Sequence, residues 1–357
     1  MKKILVFPVN NYYLKTVLMN NLNCDLEIIG ATSNLEDKID WDFGTLEYLP
    51  PINNIEFSQE LNQLFKRHKI THIMSLHPLV RLYLSKNLIK INPSIVLEPI
   101  RIENILQEKL RQWTDLKSRL SLFKTQTNTE TIMHSSVVAA IARVHEIYGE
   151  TPHDKIDEIL KIFPSLPMGD VVEIGVFFGK SALLLSELSS IFKVGNVLLV
   201  DPWDVESSIQ NDESSLLENL SIEWDWNFIF NSFLMNISKF ATDNNFNYIR
   251  STSSEAKQIY THSYSVTTQE FGKINFTGRI SLLHIDGNHN YSDAKKDIEN
   301  WVPHVKNNGW VIFDDYNWHM GDGVTKAVDE FRLENPQLFG EFYVVGRSLY
   351  ARITKND

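Results

Sequence analysis

Cysteine is nearly absent, with Cys24 alone in a chain of 357 residues. One thiol permits no intrachain disulfide and no structural zinc site built on cysteines. Long apolar runs are missing too. None approaches the roughly 18 residues of a membrane span. The opening Met1-Lys2-Lys3-Ile4-Leu5-Val6-Phe7-Pro8 imitates a signal peptide, but its apolar part is short and Asn10-Asn11 follow at once. It reads better as a first β-strand, and the expected home is the cytoplasm, with no membrane partner. Basic charge is in deficit: 34 Lys and Arg against 45 Asp and Glu leave a formal net charge of -11. No long basic stretch offsets this, so a nucleic-acid backbone is excluded as partner. A small anionic ligand is not, because a site can be locally positive.

What is present suits two domains. Hydrophobic residues make up 43% of the chain, enough for real cores. Residues 1–100 alternate short apolar runs with amphipathic stretches. Lys3–Pro8, Asp25–Ala31, Thr71–Leu76 and Ser94–Leu97 read as strands, and Tyr12–Asn21 and Phe57–His68 as helices. This βαβ rhythm predicts a small α/β domain without a glycine-rich phosphate loop, serving substrate recognition or assembly. Residues 101–165 are helical in character, a linker or cap, with candidates at Ile105–Phe123 and His134–Tyr148.

Residues 166–357 change pattern. Strand candidates recur at Val171–Ile174, Val197–Val200, Asn247–Ile249, Ile280–Ile285 and Trp310–Phe313, separated by helical stretches. A late pair, Glu341–Val345 and Ser348–Ile353, joined at Gly346, reads as an antiparallel hairpin. The prediction is an α/β domain with a doubly wound, mostly parallel seven-stranded sheet of Rossmann-like type. The acidic, Trp-containing segment Trp203–Trp226 is a candidate lid.

The strongest local signal is Asp170-Val171-Val172-Glu173-Ile174-Gly175-Val176-Phe177-Phe178-Gly179-Lys180-Ser181. A buried strand enters a glycine turn and then a helix N-terminus, where a ligand can approach the backbone closely. It is not a dinucleotide fingerprint, which needs a third glycine, nor a phosphate P-loop, where Ile174 stands in the place of glycine. What remains is E-x-G-x-x-x-G. The next strand ends Val200-Asp201, placing a carboxylate 22 residues after Gly179. A carboxylate there can accept both ribose hydroxyls of an adenosine, or merely cap a helix. Ser251-Thr252-Ser253-Ser254-Glu255 falls where an adenine edge would lie, though such clusters also cap helices.

At the other end, Ile285-Asp286-Gly287-Asn288-His289 and Phe313-Asp314-Asp315-Tyr316 put carboxylates just past two neighbouring strands. In an open α/β sheet that edge binds ligands. Three carboxylates converging there repel one another unless something positive sits between them, and Mg²⁺ (or Mn²⁺) is the obvious candidate. A metal lowers the pKa of a bound hydroxyl, and Asp286 or His289 then takes the proton as general base. His284, inside its strand, reads as a core histidine. Trp318 and His319 either shape an acceptor pocket or close a loop.

Segment 169–318 resembles the class I methyltransferases related to macrocin O-methyltransferase, the methyltransferase 24 group, including enzymes that methylate antibiotic sugars. The matching pieces are Glu173 to Gly179, Val200-Asp201-Pro202-Trp203, Ile285 to His289, and Phe313 to Tyr316. The resemblance implies S-adenosylmethionine as methyl donor, held by Glu173, Gly175, Gly179, Ser181, Asp201, Ser253 and Asp286. It implies Asp286, Asp314 and Asp315 as metal ligands, and Asp286 to Asp314 spans a compatible 28 residues. The Asn288-His289-Asn290-Tyr291 run is more like the broader family, where metal use is less uniform, and leaves His289 as an alternative base. The expected activity is O-methylation of a sugar hydroxyl, nucleotide-linked or on a polysaccharide. A phenol or carboxylate acceptor and a non-catalytic binding module are the alternatives. A homo-oligomer is left open.

Overall fold

A computed structural model describes residues 2–9, 26–33, 41, 43–100, 134–210, 221–319 and 321–355, with scattered positions between 107 and 118. The chain divides into two compact units, Met1–Gln112 and Trp113–Asp357.

The N-terminal unit holds five parallel strands, β1 (Lys2–Val6), β2 (Leu26–Thr32), β3 (Leu46–Tyr48), β4 (His72–Met74) and β5 (Val96–Leu97), in the order β3-β2-β1-β4-β5. Helices α1 (Phe57–His68) and α2 (Pro78–Ile91) cover one face. Phe57, Leu61, Leu64 and Phe65 of α1 and Val80, Leu84 and Leu88 of α2 bury against Leu5, Phe7 and Ile29. The predicted α/β rhythm stands, with α2 and β3 added. The helix expected over Tyr12–Asn21 lies outside the described residues, as does most of Ile105–Phe123.

The C-terminal unit begins with α3 (His134–Val144) and α4 (His153–Ile162). The sheet elements follow: β6 (Asp170–Ile174), α5 (Lys180–Phe192), β7 (Val197–Val200), α6 (Val205–Ser208), α7 (Trp226–Phe240), β8 (Phe246–Ile249), α8 (Ser253–Ser263), β9 (Ser265–Thr268), β10 (Gly272–Asn275), β11 (Ile280–Ile285), α9 (Tyr291–Trp301), β12 (Val305–Phe313), α10 (Gly323–Glu334), β13 (Phe339–Val345) and β14 (Ser348–Ile353). Seven strands order as β13-β14-β12-β11-β6-β7-β8, parallel except for β14, which runs antiparallel to both neighbours. This is the predicted doubly wound sheet. The β9–β10 hairpin stands apart from it as a two-stranded ribbon.

Both faces of the sheet are buried, so its central strands are predominantly apolar, as parallel strands require, with Asp170, Glu173, Ser281 and His284 as buried polar exceptions. Pleating sends Val171 and Leu282 to the face covered by α3, α4 and α5, and Val172 and Leu283 to the face covered by α8, α9 and α10. Helices α3 and α4 therefore belong to this unit's core. Residues 134–165 are not a free-standing linker, because Val137, Ile141, Ile156 and Ile159 bury against α5. The sheet reverses direction of travel between β6 and β11, and such a switch point opens a crevice at the strand C-termini. No helix among the described residues is long and apolar enough to cross a membrane.

Candidate active site

A cleft of about 1620 Å³ opens at that edge. Its floor is the turn after β6. Gly175 has φ +83°, and a Cβ built on it would lie 1.8 Å from the carbonyl oxygen of Asp286. Only glycine fits, and the turn and the β11 end are pressed together. The Gly175 N–H donates to Val200 and the Asp286 N–H to Ile174, at 2.9 and 2.7 Å. Phe177, Trp203 and Asp315 also take left-handed backbone conformations, at φ +53°, +47° and +50°. For residues with a Cβ this costs energy, and such strain gathers at ligand sites.

Asp201, only 7% exposed, is wired into this turn. Its Oδ2 accepts from the Val176 and Phe177 N–H groups at 2.8 and 3.0 Å, and its Oδ1 from Trp203 N–H at 2.7 Å. Burial raises its pKa, and those three amides pull it back. Asp201 thus shapes the cradle as well as facing it. Gly175, Ser181, Asp201, Ser253 and Asp286 all line the cleft. Thr252 caps α8 by accepting from Glu255 N–H, while the Ser253 hydroxyl donates to Asp297.

Glu173 and Gly179 do not line the cleft. Glu173 pairs in register with His284, and the pleat turns both side chains onto the α4 face, fully buried. Its carboxylate meets His284 Nδ1 at 2.9 Å. Gly179 has φ +86° and starts α5, with Phe233 packed where its Cβ would be, at 2.9 Å. Its contribution is to the turn.

The predicted carboxylates do converge, around a group that sequence reasoning missed. Lys155, near the start of α4 and 3% exposed, donates to Asp314 Oδ2 and lies 3.5 Å from Asp286 Oδ2. The second Asp314 oxygen accepts from the Ser348 hydroxyl. Burial pulls the Lys155 pKa down, but Asp314 and Asp286 overcome it and hold the ammonium well above the ordinary lysine range. Asp314 is correspondingly held well below the usual carboxylate range: burial pushes it up, and Lys155 and His284 together outweigh that. Burial and the Asp314 charge push Asp286 up to about 7, against the pull of Lys155 and His284.

His284 is a core histidine by burial, as read, but its Nε2 faces this cluster. It lies 3.7 Å from Asp314 Oδ2 and 3.9 Å from Asp286 Oδ2, with no hydrogen-bond partner among the described residues. Burial and the Lys155 charge lower its pKa, yet the nearby Asp314 carboxylate and the Glu173 hydrogen bond outweigh them and raise it to about 9. A buried polar seam therefore lies on the α4 side of the sheet, running from Glu173 through His284 and Asp314 to Lys155.

Nearer the cleft, His289 Nε2 meets Asp315 Oδ2 at 3.1 Å, and its ring packs edge-on against Trp318, 4.5 Å between centroids. Two groups of donors fall close enough to share one cation, His284/Asp286/Asp314 and Asp286/His289/Asp315, each with its atoms within 4.8 Å of one another. Tyr148, Phe177, Phe178, Trp224 and Trp226 form an aromatic wall opposite, Phe177 and Trp224 lying 4.7 Å apart. The Trp residues come from the segment read as a lid. The Asn288 amide ties that segment down by donating to Ser207 and Ile209 carbonyls at 3.0 and 2.8 Å.

Residues 172–316 match the family model described as a methyltransferase domain. A comparison with curated proteins finds no match. Among solved structures the chain is similar to the O-methyltransferase NovP, at 18% identity over 61% of this chain and 81% of that one, TM-score 0.42. It is similar to CalS11, a TDP-rhamnose 3'-O-methyltransferase of calicheamicin biosynthesis, at 12% identity over 69% and 94%, TM-score 0.38. The MycE methyltransferase of mycinamycin biosynthesis, solved with Mg and SAH, gives 13% identity over 62% and 55%, TM-score 0.38. The methyltransferase-domain match lies within the C-terminal unit and takes in the cleft carboxylates Asp201, Asp286, Asp314 and Asp315.

Proposed function

We propose, from that methyltransferase-domain match, that the chain is an S-adenosylmethionine-dependent O-methyltransferase acting on a sugar hydroxyl, nucleotide-linked or on a polysaccharide, with a divalent cation assisting. The observation that carries this reading is the double role of Asp286. Its backbone lies against the Gly175 turn, and its carboxylate belongs to both donor groups. A donor cradle and an acidic acceptor site thus share one residue.

The cradle fits the donor. Gly175 lets the β6 turn close tightly onto the Asp286 backbone at the cleft floor, and Ser181, Asp201 and Ser253 offer polar groups along the same rim. Bound S-adenosylmethionine supplies an electrophilic methyl on a sulfonium. The residues must then orient an alcohol and remove its proton. Asp286, 26% exposed and held near neutrality by burial, is the base within this arrangement. His289 stands next to it as the alternative. Asp315 and Arg347 give the acceptor end hydrogen-bonding groups of the kind a polyhydroxylated ring needs.

The donor set also fits a cation. Asp286 and Asp315 offer oxygens, and His289 Nδ1 has no hydrogen-bond partner among the described residues. Such a mixed set suits Mg²⁺ or Mn²⁺, which would acidify a bound hydroxyl. A cytoplasmic setting fits the single cysteine.

A second reading keeps the chemistry and changes the acceptor to a phenol. The aromatic wall of Phe177, Trp224 and Trp226 favours it, since stacked rings prefer a flat partner. The experiment is methyl transfer to a panel of sugar nucleotides and phenols, followed by mass spectrometry, with and without chelator. Methylated sugar supports the first reading and methylated phenol the second. Failure to bind S-adenosylhomocysteine by calorimetry overturns both.

A further inference from the structure

We propose that Lys155 is the resident cation of the inner donor group, so that Asp314 is not a metal ligand and a divalent ion is confined to Asp286, His289 and Asp315. This rests on the metal-assisted reading above but concerns how the cluster is divided.

The argument begins with charge. Three carboxylates at one sheet edge need compensation, and a metal is the usual source. Here the chain brings its own. The Lys155 ammonium is 3% exposed, so its hydration shell is gone and its donors must be met by protein acceptors. Asp314 Oδ2 accepts from it, and Asp286 Oδ2 lies 3.5 Å away. The same two oxygens are the ones faced by His284 Nε2, fully buried and without a hydrogen-bond partner among the described residues.

A divalent ion there would sit about 2.0–2.2 Å from the same oxygens. The ammonium already lies within bonding reach of them, and both cannot occupy that space. Leaving the space to the metal would strand a buried, unpaired lysine, a severe cost. Asp314 is doubly committed, since Ser348 holds its other oxygen. It acts as a positioning residue that anchors Lys155. The outer group differs. Asp315 and His289 are 17% and 15% exposed, line the cleft, and among the described residues form ion pairs only with each other and, for Asp315, with Arg347 at 4.0 Å. An ion can enter there without displacing the lysine.

The test uses the full-length chain and Mn²⁺, followed by calorimetry and electron paramagnetic resonance. The native protein is expected to bind a single Mn²⁺. Asp314→Asn should change its affinity less than about 3-fold, and Asp315→Asn should weaken it more than 10-fold. Lys155→Met should gain a second Mn²⁺, lost again in Lys155→Met/Asp314→Asn. If the native chain binds no Mn²⁺ while Lys155→Met binds one, the lysine assignment stands and the metal-assisted reaction falls. Two ions in the native protein, or equal weakening by the Asp314 and Asp315 variants, overturns the proposal. Should Lys155→Met fail to fold, the contrast between those two aspartate variants decides. S-adenosylhomocysteine binding, measured in parallel, reports on the donor reading separately.

Discussion

The Cα of Gly175 stands so close to Asp286 that an added Cβ would lie 1.8 Å from its carbonyl oxygen. No rotamer relieves this, because the obstacle is backbone. Gly175→Ala must also hold φ +83°, at a cost of about 1–2 kcal/mol before any clash. Gly272→Ala is the control: φ is +70° and nothing lies within 4 Å of the new Cβ. Urea unfolding should show a loss near 1 kcal/mol for Gly272→Ala and a clearly larger one for Gly175→Ala. Only Gly175→Ala should also lose S-adenosylhomocysteine binding. Equal losses would mean that the turn relaxes freely.

Glu173 and His284 form a buried pair, and the direction of its pH dependence follows from the imidazole. The folded His284 pKa, about 9, lies above the ordinary 6.5. Its contribution to stability is therefore complete below about pH 6.5 and is lost as pH rises through about 9. Glu173→Gln removes the charge that offsets burial of the imidazolium. It should lower stability at pH 6 by an amount on the order of 2–4 kcal/mol, with a smaller gap at pH 10. Histidine NMR should show the His284 titration moving to lower pH in the variant. An unchanged titration would show that Asp314 alone holds the proton.

Asp297 runs the other way. It is 6% exposed on α9, and burial pushes its carboxyl up to about 7, with the Ser253 hydroxyl pulling against that. Between about pH 4 and 7 the folded protein binds more protons here than the unfolded chain. Stability should fall as pH rises through that window. Asp297→Asn keeps the shape and removes the titration, so its gain should be largest at pH 8, on the order of 1–3 kcal/mol, and vanish near pH 4. A constant difference across that range, in thermal melts, would contradict this.

The sheet was legible because both its faces are buried. Runs such as Val171–Ile174 and Ile280–Ile285 are mostly apolar and buried at every position, broken only by Glu173, Ser281 and His284, which fits interior parallel strands. Asp286, Asp314 and Asp315 were legible because each follows such a run, where strand direction dictates the edge. The β9–β10 hairpin was not, since Ser265–Thr268 and Gly272–Asn275 bury only Val266 and Ile274. Helix α2 escaped because Leu79, Leu82 and Ile89 stay exposed among its buried leucines, which blurs the periodicity. Strand β12 begins five residues before Trp310, with an irregular register through Asn308-Gly309 that reads as a turn. Lys155 was invisible for a different reason. A lysine between Asp154 and Ile156 on an amphipathic helix looks solvated, and only tertiary packing brings it over the sheet edge. Glu173 was misread because strand pleating, not sequence adjacency to Gly175, decides where its carboxylate points.

Asp286 is the remaining lever on catalysis. Its carboxylate must be ionised to take a proton from the acceptor, and burial together with Asp314 pushes it up to about 7. Below that value the base is protonated, so kcat/KM in metal-free protein should fall about tenfold per pH unit on the acid side and level off above. Asp286→Asn keeps the size of the group and its backbone contact with Gly175 but cannot accept the proton. Methyl transfer should drop by roughly 10²–10⁴-fold while S-adenosylhomocysteine affinity changes little, and the acid limb should disappear from the residual rate. If His289→Gln removes that limb and Asp286→Asn leaves it in place, the two exchange roles: the imidazole takes the proton, and the aspartate serves to orient it.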